Sequence, residues 1–206
     1  MRNLTIAMFC CILIGCSMAP LNKSVVRQEP HKNQARQSIT ISVNKLVDAI
    51  ELQKTVGKIY GGLACVYHKE ERWYGFTDSV LNEVTNNIRN KLDECGYTVL
   101  GKANSPFNEE LSRQSKLLLG GKIIDVQSNA CYSTNVVKGE VYVKVDWEVY
   151  DNSAKSVVLT LSTEGYFSEK EFNKSSDIAL YSQAFGMAID NLLAANEFYT
   201  FLTKGR

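Results

Sequence analysis

Histidine, proline and tryptophan are scarce in this sequence, and so is any surplus of charge: it has two histidines, three prolines and two tryptophans, with a formal net charge of +1. The even balance of 23 basic and 22 acidic residues builds no positive field of the kind nucleic acids select, so no nucleic-acid partner is expected. His31 and His68 are the only imidazoles, and no Cys-x-x-Cys spacing occurs. A metal site would have few ligands to draw on, and neither a metal nor a cofactor is expected. Gly61-Gly62 is not continued as Gly-x-Gly-x-x-Gly, and Lys58 does not stand where a phosphate-binding lysine would. The longest apolar run, residues 4–14 with Thr5 inside it, is too short to span a bilayer unaided. What remains has the composition of an ordinary globular domain, 45% hydrophobic and 22% charged.

That short apolar run ends in Leu13-Ile14-Gly15-Cys16. The tetrad resembles the lipobox of bacterial lipoproteins, in which the signal peptide is cut before the cysteine and the cysteine carries lipid. The resemblance implies a signal peptide over 1–15, lipidation at Cys16 and attachment of the mature chain to a membrane. The competing reading is a chance apolar N-terminus ahead of a cytosolic domain. Ser17 after the cysteine resembles the pattern of lipoproteins sent to the outer membrane, and it implies a location there, facing the periplasm. Residues 16–37 are polar, contain Pro20 and Pro30 and show no periodicity, so they read as a flexible tether with His31 inside it. Residues 38–206 then make a single domain, with its core over about 56–202.

Within that domain, 38–43 alternates like a strand, 43–53 has Leu46, Val47 and Ile50 at helical spacing, and 56–66 is a glycine-interrupted apolar strand. After a charged, aromatic turn over 67–75, Leu81, Val84, Ile88, Leu92 and Cys95 form one stripe of a helix. It is opened by Thr77 or Asp78 and stopped by Gly96. Residues 97–100 read as a strand and 102–116 as a long loop. Residues 117–126 follow as a strand broken or bulged at Gly120-Gly121. Val141, Val143, Val145, Trp147 and Val149 alternate with polar residues, and a turn over 150–155 returns the chain as a second strand with a wet outer face. A second helix opens at 175–177, with Ile178, Tyr181, Phe185, Ala188 and Leu192 on its stripe. Residues 197–202 read as a last edge strand. The order predicts an α+β two-layer sandwich: one mixed, twisted sheet with two long helices packed on one face.

The runs Leu117-Leu-Leu-Gly-Gly-Lys-Ile-Ile-Asp-Val and Gly139-Glu-Val-Tyr-Val-Lys-Val-Asp-Trp-Glu-Val-Tyr-Asp, the Thr163-Glu-Gly-Tyr strand end and the helix ending Ala188-Ile-Asp-Asn-Leu-Leu-Ala carry a further resemblance. They look like a group of small envelope lipoproteins whose domain is similar to the N-terminal domain of TolB. The group includes YajG-type lipoproteins, penicillin-binding-protein activators and auxiliary lipoproteins of envelope transporters. It implies a non-catalytic domain that docks on another envelope protein. The tether is shorter than the long linkers of the activators.

Three cysteines lie beyond Cys16. Cys65 and Cys131 each fall near a strand end and are the candidate disulfide, which leaves Cys95 as a free thiol on a helix stripe. Trp73, Tyr74 and Phe76 before the first helix, with Tyr142 and Tyr150 on the wet face, are candidate partner-binding aromatics. Trp73 and Phe76 suit the core beside that helix equally well. No catalytic residue is assigned. The alternative class, an envelope hydrolase or peptidoglycan-acting enzyme, would need a cleft that gathers His68 with a carboxylate or hydroxyl.

Overall fold

A computed structural model describes residues 18–32, 39–101, 114–174 and 177–204. In chain order the elements are β1 (Thr40–Val43), β2 (Val47–Asp48), β3 (Thr55–Gly61), β4 (Val66–Arg72), α1 (Asp78–Glu94), β5 (Thr98–Leu100), β6 (Leu117–Ser133), β7 (Val136–Asp151), β8 (Ser156–Asn173), α2 (Asp177–Ala194) and α3 (Asn196–Lys204). The fold is α+β, an open mixed sheet of eight strands with α1 and α2 on one face, as the order of elements predicts. Most of the loop expected over 102–116 lies outside the described residues.

Strand β6 is the spine. Along its whole length it pairs antiparallel with β7, which pairs antiparallel with the edge strand β8. Its other side is shared by three short parallel neighbours: β1 at its start, β2 near its middle and β3 at its end. Such a strand needs apolar side chains on the covered face, and Leu117, Leu119, Ile123, Val126 and Ala130 supply them. On β7 the same face carries Val141, Val143, Val145, Trp147 and Val149. Against this face pack Val80, Leu81, Val84, Ile88 and Leu92 of α1 and Leu180, Ala184, Phe185, Ala188, Ile189 and Leu192 of α2. Full burial of each large aliphatic or aromatic side chain contributes about 1.5–3 kcal/mol, which is why the stripes rather than helix propensity fix these two helices. Thr77 caps α1 by accepting from the Val80 amide, and Gly96 follows the helix with φ +85.

Two buried contacts tie the layers together. The Trp147 indole N–H donates to Thr163 Oγ1 at 2.8 Å, and that hydroxyl donates to the Ala188 carbonyl at 2.8 Å. Beside it, Gly165 lets β8 approach α2 so closely that a Cβ there would land on the backbone of Ala184 and Ala188.

Four local expectations give way. Residues 43–53 form β2 and turns instead of a helix, because the Asp48 carboxylate accepts from the Ile50 and Phe76 amides and the Trp73 indole and so fixes a non-helical bend. Residues 66–72 are strand β4, hydrogen-bonded to β3 with two register shifts, where a turn was expected. Gly120-Gly121 does not break β6: Gly121 makes room for the Trp147 ring, and the irregularity lies at Ile123/Asp125. Residues 196–204 are a helix, not an edge strand, since Phe198, Phe201 and Leu202 fall three and four apart and all meet the core.

Candidate functional site: an N-terminal strap and a disulfide-capped end

The segment just after Cys16 is where the structure departs furthest from a flexible tether. Residues 18–32 adopt neither helix nor strand, yet they are bound along the domain. Met18 and Phe172 pack on the cluster of Tyr60, Cys65 and Cys131 on the sheet face opposite the helices. The Ala19 amide donates to Tyr60 Oη at 3.2 Å, and the Ala19 carbonyl accepts from Asn129 Nδ2 at 2.6 Å. The Leu21 amide donates to Glu140 Oε2 at 2.8 Å, and Lys23 Nζ lies 4.2 Å from the centre of the Tyr142 ring.

The strap then reaches the helix layer. Arg27 pairs with the buried Asp190 of α2, whose other oxygen pairs with Lys91 of α1. The Gln28 amide donates to Asn191 Oδ1 at 2.8 Å, while Asn191 Nδ2 donates to the Glu164 carbonyl of β8 at 2.9 Å. One side-chain amide therefore joins strap, helix and sheet edge. The His31 amide donates to the Leu193 carbonyl at 3.1 Å, supplying a partner that the last turn of α2 lacks from its own backbone. The His31 ring lies 4.9 Å from the Tyr199 ring, with Nε2 3.2 Å from Asn196 Oδ1. Strap docking thus rests on backbone hydrogen bonds and single side chains.

Cys65 and Cys131 are joined by a disulfide that links the β3–β4 turn to β6, and Cys95 is free and buried. Burial pushes the Cys95 thiol up. The aromatic candidates separate. Trp73 is 5% exposed, with its indole N–H on Asp48, and it belongs to the core. Phe76 packs edge-on against Trp73, Tyr181 and Phe185. Tyr142 is covered beside Lys23, and desolvation, then the Glu164 carboxylate, pushes its phenol up. Tyr150 is half-buried. Of the five, Tyr74 alone stands clear, at 73% exposure. Trp73, Phe76 and Tyr142 are therefore packing residues and not a free surface: their apolar rings are worth more inside, where Trp73 meets Asp48, Tyr142 meets Lys23 and Phe76 meets other rings.

His68 lies on exposed β4, at the register shift opposite Ile59 and Tyr60, where the expectation placed a turn. Carboxylates do meet hydroxyls among the described residues: Glu71 accepts from Ser128 Oγ at 2.5 Å, and the exposed Glu70 and Glu83 accept from Thr55 Oγ1 at 3.2 Å and Ser182 Oγ at 2.8 Å. Burial pushes the Glu71 carboxyl up, and burial raises the neighbouring Tyr132 phenol to about 12. Ser128 is itself buried, so this pair lies within the fold and not in an open cleft. Among the described residues no group of three or more metal-ligating side chains gathers, and no helix is long and apolar enough to cross a membrane.

No family model and no curated protein matches the chain. Among solved structures it is similar to XCC0632 from Xanthomonas campestris, a DUF330 protein, at 11% identity over 86% of this chain and 94% of that one, with a TM-score of 0.49. It is also similar to the PelC dodecamer from Paraburkholderia phytofirmans, at 14% identity over 84% and 99% of the two chains (TM-score 0.42). A third is lipoprotein GNA1162 from Neisseria meningitidis, at 10% identity over 75% and 95% (TM-score 0.38). These neighbours are bacterial proteins, and one of them is a lipoprotein.

Sequence reasoning missed Tyr60, Asn129, Glu140, Asp190 and Asn191, the residues that hold the strap. Only Asp190 left a signal: an acid between Ile189 and Leu192 on a buried helix needs a cationic partner.

Proposed function

We propose that the chain is a lipoprotein anchored through Cys16, acting as a non-catalytic accessory or assembly subunit of an envelope protein complex, of the kind the TolB-like, YajG-type and activator lipoproteins suggest. The observation that carries this reading is the strap. A segment that begins two residues after the lipobox cysteine is hydrogen-bonded from the disulfide to α3, so the point of attachment is built into the fold. The placement of His68 and of the part-buried Ser128–Glu71 pair supports a binding role over hydrolysis. An outer-membrane location facing the periplasm belongs to the same proposal.

Cys16→Ser separates the parts of this reading. The parent protein is expected in the membrane fraction and the variant in the soluble fraction, while crosslinking in intact cells traps a protein partner with the parent. A variant that still fractionates with membranes and works normally would overturn the anchor. Turnover of a peptidoglycan or ester substrate that is abolished by His68→Ala would overturn the non-catalytic role.

A further inference from the structure

We infer that the disulfide-capped end of the domain is a membrane-contacting face, and that the β3–β4 turn, led by Leu63, enters the lipid headgroup layer. This rests on the reading of Cys16 as the lipid anchor. Only Ser17 separates that cysteine from Met18, so their Cα atoms lie at most about 7 Å apart. Met18 is seated on the Cys65–Cys131 cluster. A bilayer that holds the acyl chains of Cys16 must therefore lie against this end of the molecule, and residues 18–32 do not act as a long spacer.

The surface there fits such a neighbour. The β3–β4 turn, the β6–β7 turn, the end of β8 and the start of α2 all lie at one end of the sheet. Half of the exposed large hydrophobic residues among those described gather on it: Leu63, Val66 and Tyr67 on the hairpin, Tyr132 at the end of β6 and Ile178 in the first turn of α2. Leu63 is 78% exposed although it flanks a disulfide that holds its turn in place. Tyrosines with an apolar body and a polar tip are suited to the headgroup level. Lys174 and Asp177 line a shallow depression of about 450 Å³ beside Tyr132, so the charge at this end is of both signs. Contact through apolar side chains, not attraction to anionic lipid, is what this composition supports.

The test uses the acylated full-length protein in vesicles of phosphatidylethanolamine and phosphatidylglycerol, with and without brominated acyl chains. Leu63→Trp and Tyr67→Trp report on the hairpin tip. Ser153→Trp reports on the β7–β8 turn at the opposite end, and the parent with its buried Trp73 and Trp147 provides the background. Emission added by Leu63→Trp and by Tyr67→Trp is expected to fall about twofold in brominated vesicles, with Ser153→Trp unchanged. Equal quenching at both ends, or none at either in protein that floats with the vesicles, overturns the inference and leaves the anchor intact. In the second case the patch is left for a protein or for a second copy of the chain. Protein that does not float overturns the anchor reading itself, and this inference with it.

Discussion

Replacing Asp190 by asparagine keeps the shape of a side chain that is 2% exposed and removes the charge that Lys91 and Arg27 both approach. Removing one partner of a fully buried ion pair costs about 3–5 kcal/mol, because the other charge is left without compensation. Here the stranded cations have an escape: the Lys91 side chain is 21% exposed and that of Arg27 60%. Both can turn to water, which lowers the expected cost of Asp190→Asn to about 2–3 kcal/mol. Arg27, already well solvated, accounts for at most about 1 kcal/mol of this, so Arg27→Met is expected to be mild and Lys91→Met clearly worse. In urea, with a slope of roughly 2–3 kcal/mol per molar for a chain of this size, the Asp190→Asn midpoint falls by about 1 M at unchanged slope. Tryptophan fluorescence follows the transition. A midpoint shift below about 0.2 M, or an Arg27→Met variant more damaging than Lys91→Met, refutes the reasoning.

Three further outcomes are expected. Burial holds the Glu71 carboxyl above its ordinary value, so its contribution to stability is present below the usual glutamate range and is lost as pH rises through the raised value. Glu71→Gln, which keeps an acceptor for Ser128, should therefore gain on the parent in thermal scans between about pH 4 and 7; parallel curves would contradict this. Opening the Cys65–Cys131 bond, which spans 66 residues of sequence, is expected to cost about 4 kcal/mol in the double alanine variant, read as a lower unfolding midpoint that reductant no longer changes. Gly165→Ala places a methyl group on the α2 backbone at Ala184 and Ala188 and should lower stability by about 1–3 kcal/mol or more, whereas an unchanged melting temperature would mean that the two layers separate freely.

What the sequence discloses and what it conceals follow one physical division. Helix α1 and strand β7 are legible because each buries one face, and a period of 3.6 or 2 is then written into consecutive residues. Helix α3 carries the same signal in Phe198, Phe201 and Leu202, but aromatic composition outweighs spacing in so short a segment and points to a strand. Trp73 is ambiguous because what decides its place is Asp48, 25 residues away. The strap is illegible for the same reason on a larger scale: Arg27 and Asp190 are separated by 163 residues, and backbone amides that bond to side chains have no composition to betray them. Tyr142 reads as a wet-face aromatic until the strap is seen to cover it.

The His31–Tyr199 and Arg27–Asp190 contacts join the earliest part of the domain to the latest. Residues 27–31 cannot dock until α2 and α3 have been made and packed, whereas Ala19 and Leu21 need only the sheet, so the helix-layer half of the strap closes through contacts between distant parts of the chain, the class that forms slowly. With Cys16 as the proposed anchor, the distance between membrane and domain then changes as the strap docks. Undocked, the fifteen residues 18–32 could stretch to about 50 Å. After closure that length is taken up along the sheet. Under the proposed Cys16 anchor, docking of the strap and approach of the domain to the bilayer are one event.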